Sequence, residues 1–210
     1  MKILPLWILF AIAGAACLHG SGSGKSKINS VSVSDTTLAK LLEAAYNQTQ
    51  KRVTYDGRYF QIPYPMGDIP DSLGVCTDVL IRAYRKVGYD LQKLVHEDIT
   101  RSFAVYQQRR FSAKPDANID HRRCPNLETF FSRYGRRLPV TDSAIHYQPG
   151  DIVFWKVSAG HVGIVSACKS PKDSTRFMVV HNIGAGPQLE DFLFRAEITG
   201  HYRYTPWKKR

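Results

Sequence analysis

The apolar positions of this chain change period part-way along it. Leu38, Leu41, Leu42, Ala45 and Tyr46 recur at helical spacing and predict a first helix from about Asp35 to Gln50, which Ser34 or Asp35 can cap. Gly57 to Gly74 is rich in glycine and proline, with Pro63, Pro65 and Pro70, and reads as an ordered loop. A second helix starts at Cys76, with Val79, Leu80, Ala83, Tyr84 and Val87 on its apolar face and Gly88 suited to its C-terminal cap. A third covers Leu91 to Phe103. After a polar segment, Pro115 to Pro125, a short helix runs from Asn126 to Tyr134 and Gly135 closes it. From Pro149 the period becomes that of strands: Ile152–Val157, His161–Ala167, Arg176–Ile183 and Glu197–Tyr204, rich in β-branched and aromatic residues. Ser158-Ala159-Gly160 and Lys169 to Thr175 supply the turns. Helices first and an antiparallel sheet afterwards make an α+β domain, and no internal repeat appears.

The N-terminus carries a different pattern. Lys2 precedes an apolar run from Ile3 to Ala16, broken only by Pro5 and Gly14 and too short to span a bilayer. Residues 1–17 therefore read as a signal peptide, 18–33 as a flexible linker and 34–210 as one domain. Two processing routes compete. Cleavage near Ala13 to Ala16 releases a soluble protein. Lipidation of Cys17, followed by the Gly20-Ser21-Gly22-Ser23-Gly24 tether, anchors it to a membrane.

Composition adds three constraints. At 43% hydrophobic and 11% aromatic residues, the chain can build a full core. The net charge of +11 suits an anionic surface, which in a bacterial envelope means wall polymer or lipid head groups. Nucleic acid is not the expected partner, since no recognition motif accompanies the charge, and a monomer is expected. Of the four cysteines, Cys76, Cys124 and Cys168 lie beyond the signal region. An odd number in an oxidising compartment fits one free thiol plus a Cys124–Cys168 disulfide.

The candidate chemistry centres on Cys76, His161 and His181. A cysteine is a nucleophile only as thiolate, and its free pKa of roughly 8.5 must be lowered to work near neutrality. A helix N-terminus and a nearby imidazole both do this. Cys76 stands at a helix start; His161 opens Gly160-His161-Val162-Gly163, and His181 closes the next strand. Side chains alternate along a strand, so His161, Gly163 and Val165 share one face, and a hairpin brings His181 to the same sheet end. The expected roles are attack by Cys76, proton transfer by His161 and orientation of that imidazole by His181. Gly160 and Gly163 are expected to leave room for a substrate chain. Backbone amides at the start of the Cys76 helix, helped by Tyr64, are expected to stabilise an oxyanion. Asp120-His121-Arg122-Arg123 is a second polar cluster: it clamps a substrate carboxylate, or it fixes a loop through an Asp120–arginine pair.

These residues resemble a bacterial family catalogued as domain of unknown function 1287, from about Leu38 to Pro206. The resemblance is carried by Tyr64-Pro65-Met66-Gly67-Asp68-Ile69-Pro70, Gly74-Val75-Cys76-Thr77-Asp78, Asp90-Leu91-Gln92 with Val95-His96-Glu97-Asp98, Asn118 to Arg123, Pro149-Gly150-Asp151-Ile152-Val153, His181-Asn182-Ile183-Gly184 and Gly200-His201-Tyr202-Arg203-Tyr204. More distantly the layout is similar to the NlpC-like cell-wall cysteine peptidases of the papain-like superfamily. That resemblance implies a papain-like fold with Cys76 as nucleophile, His161 as base, His181 as third polar residue and Tyr64 as the tyrosine placed before the nucleophile. Asn182 is the alternative third residue. Those enzymes usually have Cys-Ser-Gly where this chain has Cys76-Thr77-Asp78, and the extra carboxylate is expected to select a cationic or amine group on the substrate.

The expectation that follows is an exported cysteine hydrolase without metal or cofactor, cleaving an amide bond in the peptide part of peptidoglycan. Two other classes stay open: a zinc amidase using Cys76, His121, His161 and His181, and a non-catalytic wall-binding module.

Overall fold

The computed structural model describes residue 30 and residues 33–106 and 114–208. The signal peptide, most of the linker and Cys17 lie outside the described residues. Four α-helices form among the described residues: α1 Thr36–Gln48, α2 Cys76–Lys86, α3 Leu91–Arg101 and α4 Cys124–Tyr134. Each start has a local cause. The Asp35 carboxylate accepts from the N–H groups of Thr37 and Leu38, both at 3.0 Å, and Asp90 accepts from Gln92 N–H at 3.1 Å. Pro125 in the first turn of α4 has its φ already set for a helix. That helix begins two residues earlier than its apolar stripe suggests. Among the described residues none of these helices is long and apolar enough to cross a membrane.

Among the described residues, eight strands lie in two sheets. β1 Thr54–Tyr55 and β2 Leu73–Gly74 make a short parallel pair. β3 Arg136–Arg137, β4 Asp151–Trp155, β5 His161–Lys169, β6 Phe177–His181, β7 Gln188–Glu190 and β8 Ile198–Arg203 form an antiparallel sheet in the order β3-β8-β4-β5-β6-β7. The four strands of the sequence pattern are its centre. The edge strands β3 and β7, like β1 and β2, are too short to show a period.

The sheet divides two apolar clusters, as alternation requires. Ile152, Phe154, Val162, Ile164 and Val180 pack with Leu41, Leu42, Val79, Leu80 and Phe131 of the helices. On the other face Val153, Trp155, Val165 and Val179 pack with Tyr147, Phe192 and Leu193. The result is α+β, with helices on one face of an antiparallel sheet. α2 sits on β5, and its first residue lies at the sheet end where β5 begins.

The expected Cys124–Cys168 disulfide does not form. Cys124 is a free, buried thiol that opens α4, while Cys168 is disulfide-bonded elsewhere.

Candidate active site

Cys76 is the first residue of α2 and is 3% exposed. The first N–H groups of a helix lack intrahelical partners and carry partial positive charge, so the sulfur sits at an electropositive end. Asp78 fixes the geometry of this end: its carboxylate accepts from the N–H of Val75 at 2.7 Å. The same carboxylate is held by the Arg122 guanidinium through two bonds of 3.0 Å, and both side chains are almost fully buried. Arg122 also donates to the backbone carbonyls of Asp56 and Arg58, and Thr77 donates to the carbonyl of Arg122 at 3.0 Å.

That network reassigns several residues expected to meet substrate. Asp78 is already neutralised inside the protein and cannot select a cationic substrate. Thr77-Asp78 instead grips the 120–122 turn. Asp120 is buried and binds His96 Nδ1 at 3.0 Å and the Asp116 N–H at 2.8 Å. His121 is 1% exposed. Burial first, then the nearby positive charges of Arg122, Arg85 and His96, lower its pKa to about 3. Arg123 is half-buried near Asp120 and Asp116 and occupies the position just before α4, without a side-chain bond to the helix start. The 120–123 segment is thus a clamp on the protein's own backbone, and it delivers Cys124.

Cys124 Sγ lies 3.5 Å from Cys76 Sγ. Cys76 is held well below the ordinary thiol value. The hydrogen bond from Cys124 contributes most. The imidazole of His161 and the backbone N–H of Val162 add to it, against the cost of burial. Cys124 moves the opposite way, pushed well up by its bond to Cys76, by burial and by the neighbouring charge. The pair shares one negative charge, and it belongs on Cys76, the sulfur with the imidazole beside it.

His161 opens β5 and is 3% exposed; His181 closes β6 and is fully buried. Gly163 pairs directly with His181 across the ladder. His161 Nε2 meets His181 Nδ1 at 2.8 Å, which leaves His161 Nδ1 for the sulfur. Burial, then the charges of His161 and Arg195, lower the pKa of His181 to about 3, so it is neutral near neutrality. An imidazolium at 161 donates from Nε2 to His181 Nδ1, which puts the proton of His181 on Nε2. That Nε2 is 3.0 Å from Glu190 Oε2 on β7. The approach is close but not aligned as an N–H···O bond.

The two glycines do not make room for a ligand. A Cβ on Gly163 would lie 2.6 Å from Val179 Cγ1 and 3.0 Å from His181 Cβ, so the missing side chain is what lets His181 reach His161. A Cβ on Gly160 would lie 3.1 Å from Cys124 Cβ. Asn182 is buried and donates to the Gly74 carbonyl at 3.1 Å, tying β6 to the segment before Cys76; His181, not Asn182, meets His161.

Tyr64 is also displaced from its expected place. Its ring packs edge-on against His96, 5.2 Å between centroids, and its charged neighbours are Glu97 and Asp90. The tyrosine beside the thiols is Tyr55, which pairs with Gly74 in the β1–β2 ladder. Burial, then the charges of Cys76, Cys124 and Asp78, push its phenol up to about 12, so it is an O–H donor at any working pH. Two-residue β1 offers no periodicity by which to find it.

Among the described residues no group of three or more His, Cys, Asp and Glu side chains is arranged to hold a metal ion. A cavity of about 1100 Å³ lies elsewhere, lined by Leu38, Tyr134, Gly150, Phe177, Arg203 and Tyr204 among others, away from the thiols.

A family model described as a domain of unknown function, DUF1287, matches residues 42–204. The chain belongs to the DUF1287 family. This DUF1287 chain is 47% identical over 176 residues to the uncharacterized protein YijF of Escherichia coli (strain K12), covering 83% of this chain and 85% of that one. No solved structure matches it. The matched span of the DUF1287 domain includes Tyr55, Cys76, Cys124, His161, His181 and Glu190.

Proposed function

We propose that this DUF1287 domain is an exported cysteine hydrolase of papain-like, NlpC-like type that cleaves an amide bond in the peptide part of peptidoglycan. The observation that carries the reading is the row Cys76–His161–His181: a thiol held ionised at a helix start, an imidazole beside it and a second, neutral imidazole bonded at 2.8 Å to the first. The basic balance of +11 suits an anionic wall polymer as the surface on which the enzyme works.

The steps follow from the atoms. Cys76 Sγ attacks the amide carbonyl carbon, forming a C–S bond while the carbonyl π pair moves to oxygen. The N–H groups opening α2 and the Tyr55 O–H stabilise that oxyanion. His161, as imidazolium, gives its Nδ1 proton to the leaving amine as the C–N bond breaks, leaving a thioester on Cys76. Water then attacks the thioester while His161 takes its proton; the C–S bond breaks, the acid leaves and the thiolate–imidazolium pair returns. His181 accepts from Nε2 of His161 throughout and holds the ring in plane with the sulfur.

The test compares the purified protein with Cys76→Ala on peptidoglycan fragments, with products read by mass spectrometry. The variant is expected to lose at least ~10³-fold in rate, the order seen when a nucleophile is deleted. Equal product from both proteins, or none from the wild type, overturns the reading.

A further inference from the structure

Cys124 performs no bond-making step in amide hydrolysis, yet much of the site is arranged around it. The 120–122 turn is anchored to α2 by Arg122 and Thr77, and two residues later the chain presents a thiol at the start of α4. Gly160 lacks the side chain that would crowd it. The outcome is two free sulfurs 3.5 Å apart, each the first residue of a helix. A buried thiol that serves only packing needs none of this.

We propose that Cys76 and Cys124 form a reversible redox-modification site, in which a small hydroperoxide oxidises Cys76 and Cys124 resolves the product to an intramolecular disulfide. The proposal uses the same ionised Cys76 as the hydrolase reading, but it does not need that reading to be correct.

The chemistry balances. Cys76 thiolate attacks one peroxide oxygen; an S–O bond forms, the O–O bond breaks, and the leaving hydroxide takes a proton to become water. Cys76 is then a sulfenic acid. Cys124 sulfur attacks that sulfur; an S–S bond forms, the S–O bond breaks, and the departing hydroxide takes the Cys124 proton as a second water. Two thiols are oxidised by two electrons and one peroxide is reduced. A dithiol reductant reverses it by exchange. The sulfurs need to close from 3.5 Å to roughly 2.05 Å, a side-chain rotation in scale. Low exposure of both residues, 3% and 8%, favours small oxidants over bulky disulfides. Closure removes the nucleophile beside His161, so the oxidised form cannot run thiol hydrolysis. It also spares Cys76 the irreversible sulfinic acid.

The test uses the full chain, gently reduced, desalted and exposed to hydrogen peroxide. Free thiols are then alkylated under denaturing conditions and the products mapped by peptide mass spectrometry. The expected result is a Cys76–Cys124 cross-linked peptide pair, two hydrogens lighter than the sum and restored by dithiothreitol. In Cys124→Ser, Cys76 is expected instead as a dimedone-trapped sulfenic acid or as sulfinic acid. The proposal is overturned if wild-type Cys76 goes to sulfinic acid without the cross-link, if Cys76 or Cys124 cross-links to a different cysteine instead, or if peroxide leaves both thiols alkylatable. A cross-link in a protein with no amide turnover sustains the redox site and sinks the hydrolase; turnover without a cross-link does the reverse.

Discussion

Two buried histidine networks lie on the same sheet, and only one has every ring nitrogen and carboxylate oxygen paired. On β8, His201 Nε2 meets Asp151 Oδ2 at 2.9 Å, its Nδ1 meets the Pro139 carbonyl at 2.9 Å, and its ring stacks on Tyr147 with 4.2 Å between centroids. Arg203 closes the other side of Asp151 through bonds of 2.6 and 2.9 Å, and the N–H of Gln148 adds a third partner. Both ring nitrogens and both carboxylate oxygens there are used. In the row His161–His181–Glu190 the acid is one-third exposed, its contact to His181 is misaligned, and the far end is a sulfur rather than a fixed acceptor. A closed network holds the entry of β4 against β8. An open one, ending in a group that gains and loses a proton, can do work on something else. The two networks share burial and an acidic neighbour and differ in whether every ring nitrogen has an aligned partner.

Paired substitutions test this contrast most strongly. His161→Ala is expected to cut amide hydrolysis by on the order of 10³-fold with little change in urea midpoint, since a positioned acid–base group alone is worth about 10²–10⁴. His201→Ala is expected to do the opposite: rate per folded molecule within a few-fold, stability lower by about 3 kcal/mol from a broken buried network. Equal effects of the two on both measurements would erase the distinction.

Glu190→Gln probes the open end. Without the carboxylate, the Nε2 tautomer of His181 is less favoured, and the expected loss is about tenfold in kcat with KM little changed, equal to about 1.4 kcal/mol. A merely structural Glu190 would move the unfolding midpoint and leave the rate per folded molecule unchanged.

A separate effect is on stability against pH. His121 and His181 both have folded pKa values lowered to about 3 from 6.5. Below 6.5 the unfolded chain binds protons that the folded one does not, so stability falls as pH drops from about 6.5 towards 3 and is fully present above that window. The urea midpoint is expected to be lower at pH 4 than at pH 7, and His121→Leu is expected to narrow that gap. A pH-independent midpoint in the wild type would mean these histidines are not buried as neutral groups.

The outline of this site can be read from residues alone because its main parts have periodicity. Cys76 begins an eleven-residue helix with a clear apolar stripe, and His161 and His181 sit at the ends of apolar, buried strands of nine and five residues. Tyr55 and Glu190 have no such frame; each lies on a strand of two or three residues whose place is set by partners far along the chain. Asp78 and Arg122 mislead for a different reason. A charged residue in a motif looks available for substrate until its opposite charge, 44 positions away, is brought against it. Long-range pairing is what a one-dimensional pattern does not carry, and for the same reason the pattern does not show that Cys124 lies against Cys76.

The order of these partners along the chain has a consequence for biosynthesis. Every group that acidifies Cys76 lies after it: Cys124, His161 and Val162, while Arg122, which locks the helix start through Asp78, also comes later. A nascent polypeptide that has not yet released residue 124 from the ribosome lacks all three, and one that has not released residue 162 still lacks the imidazole and the strand N–H. The complete set of groups around this sulfur is assembled only with the closing strands.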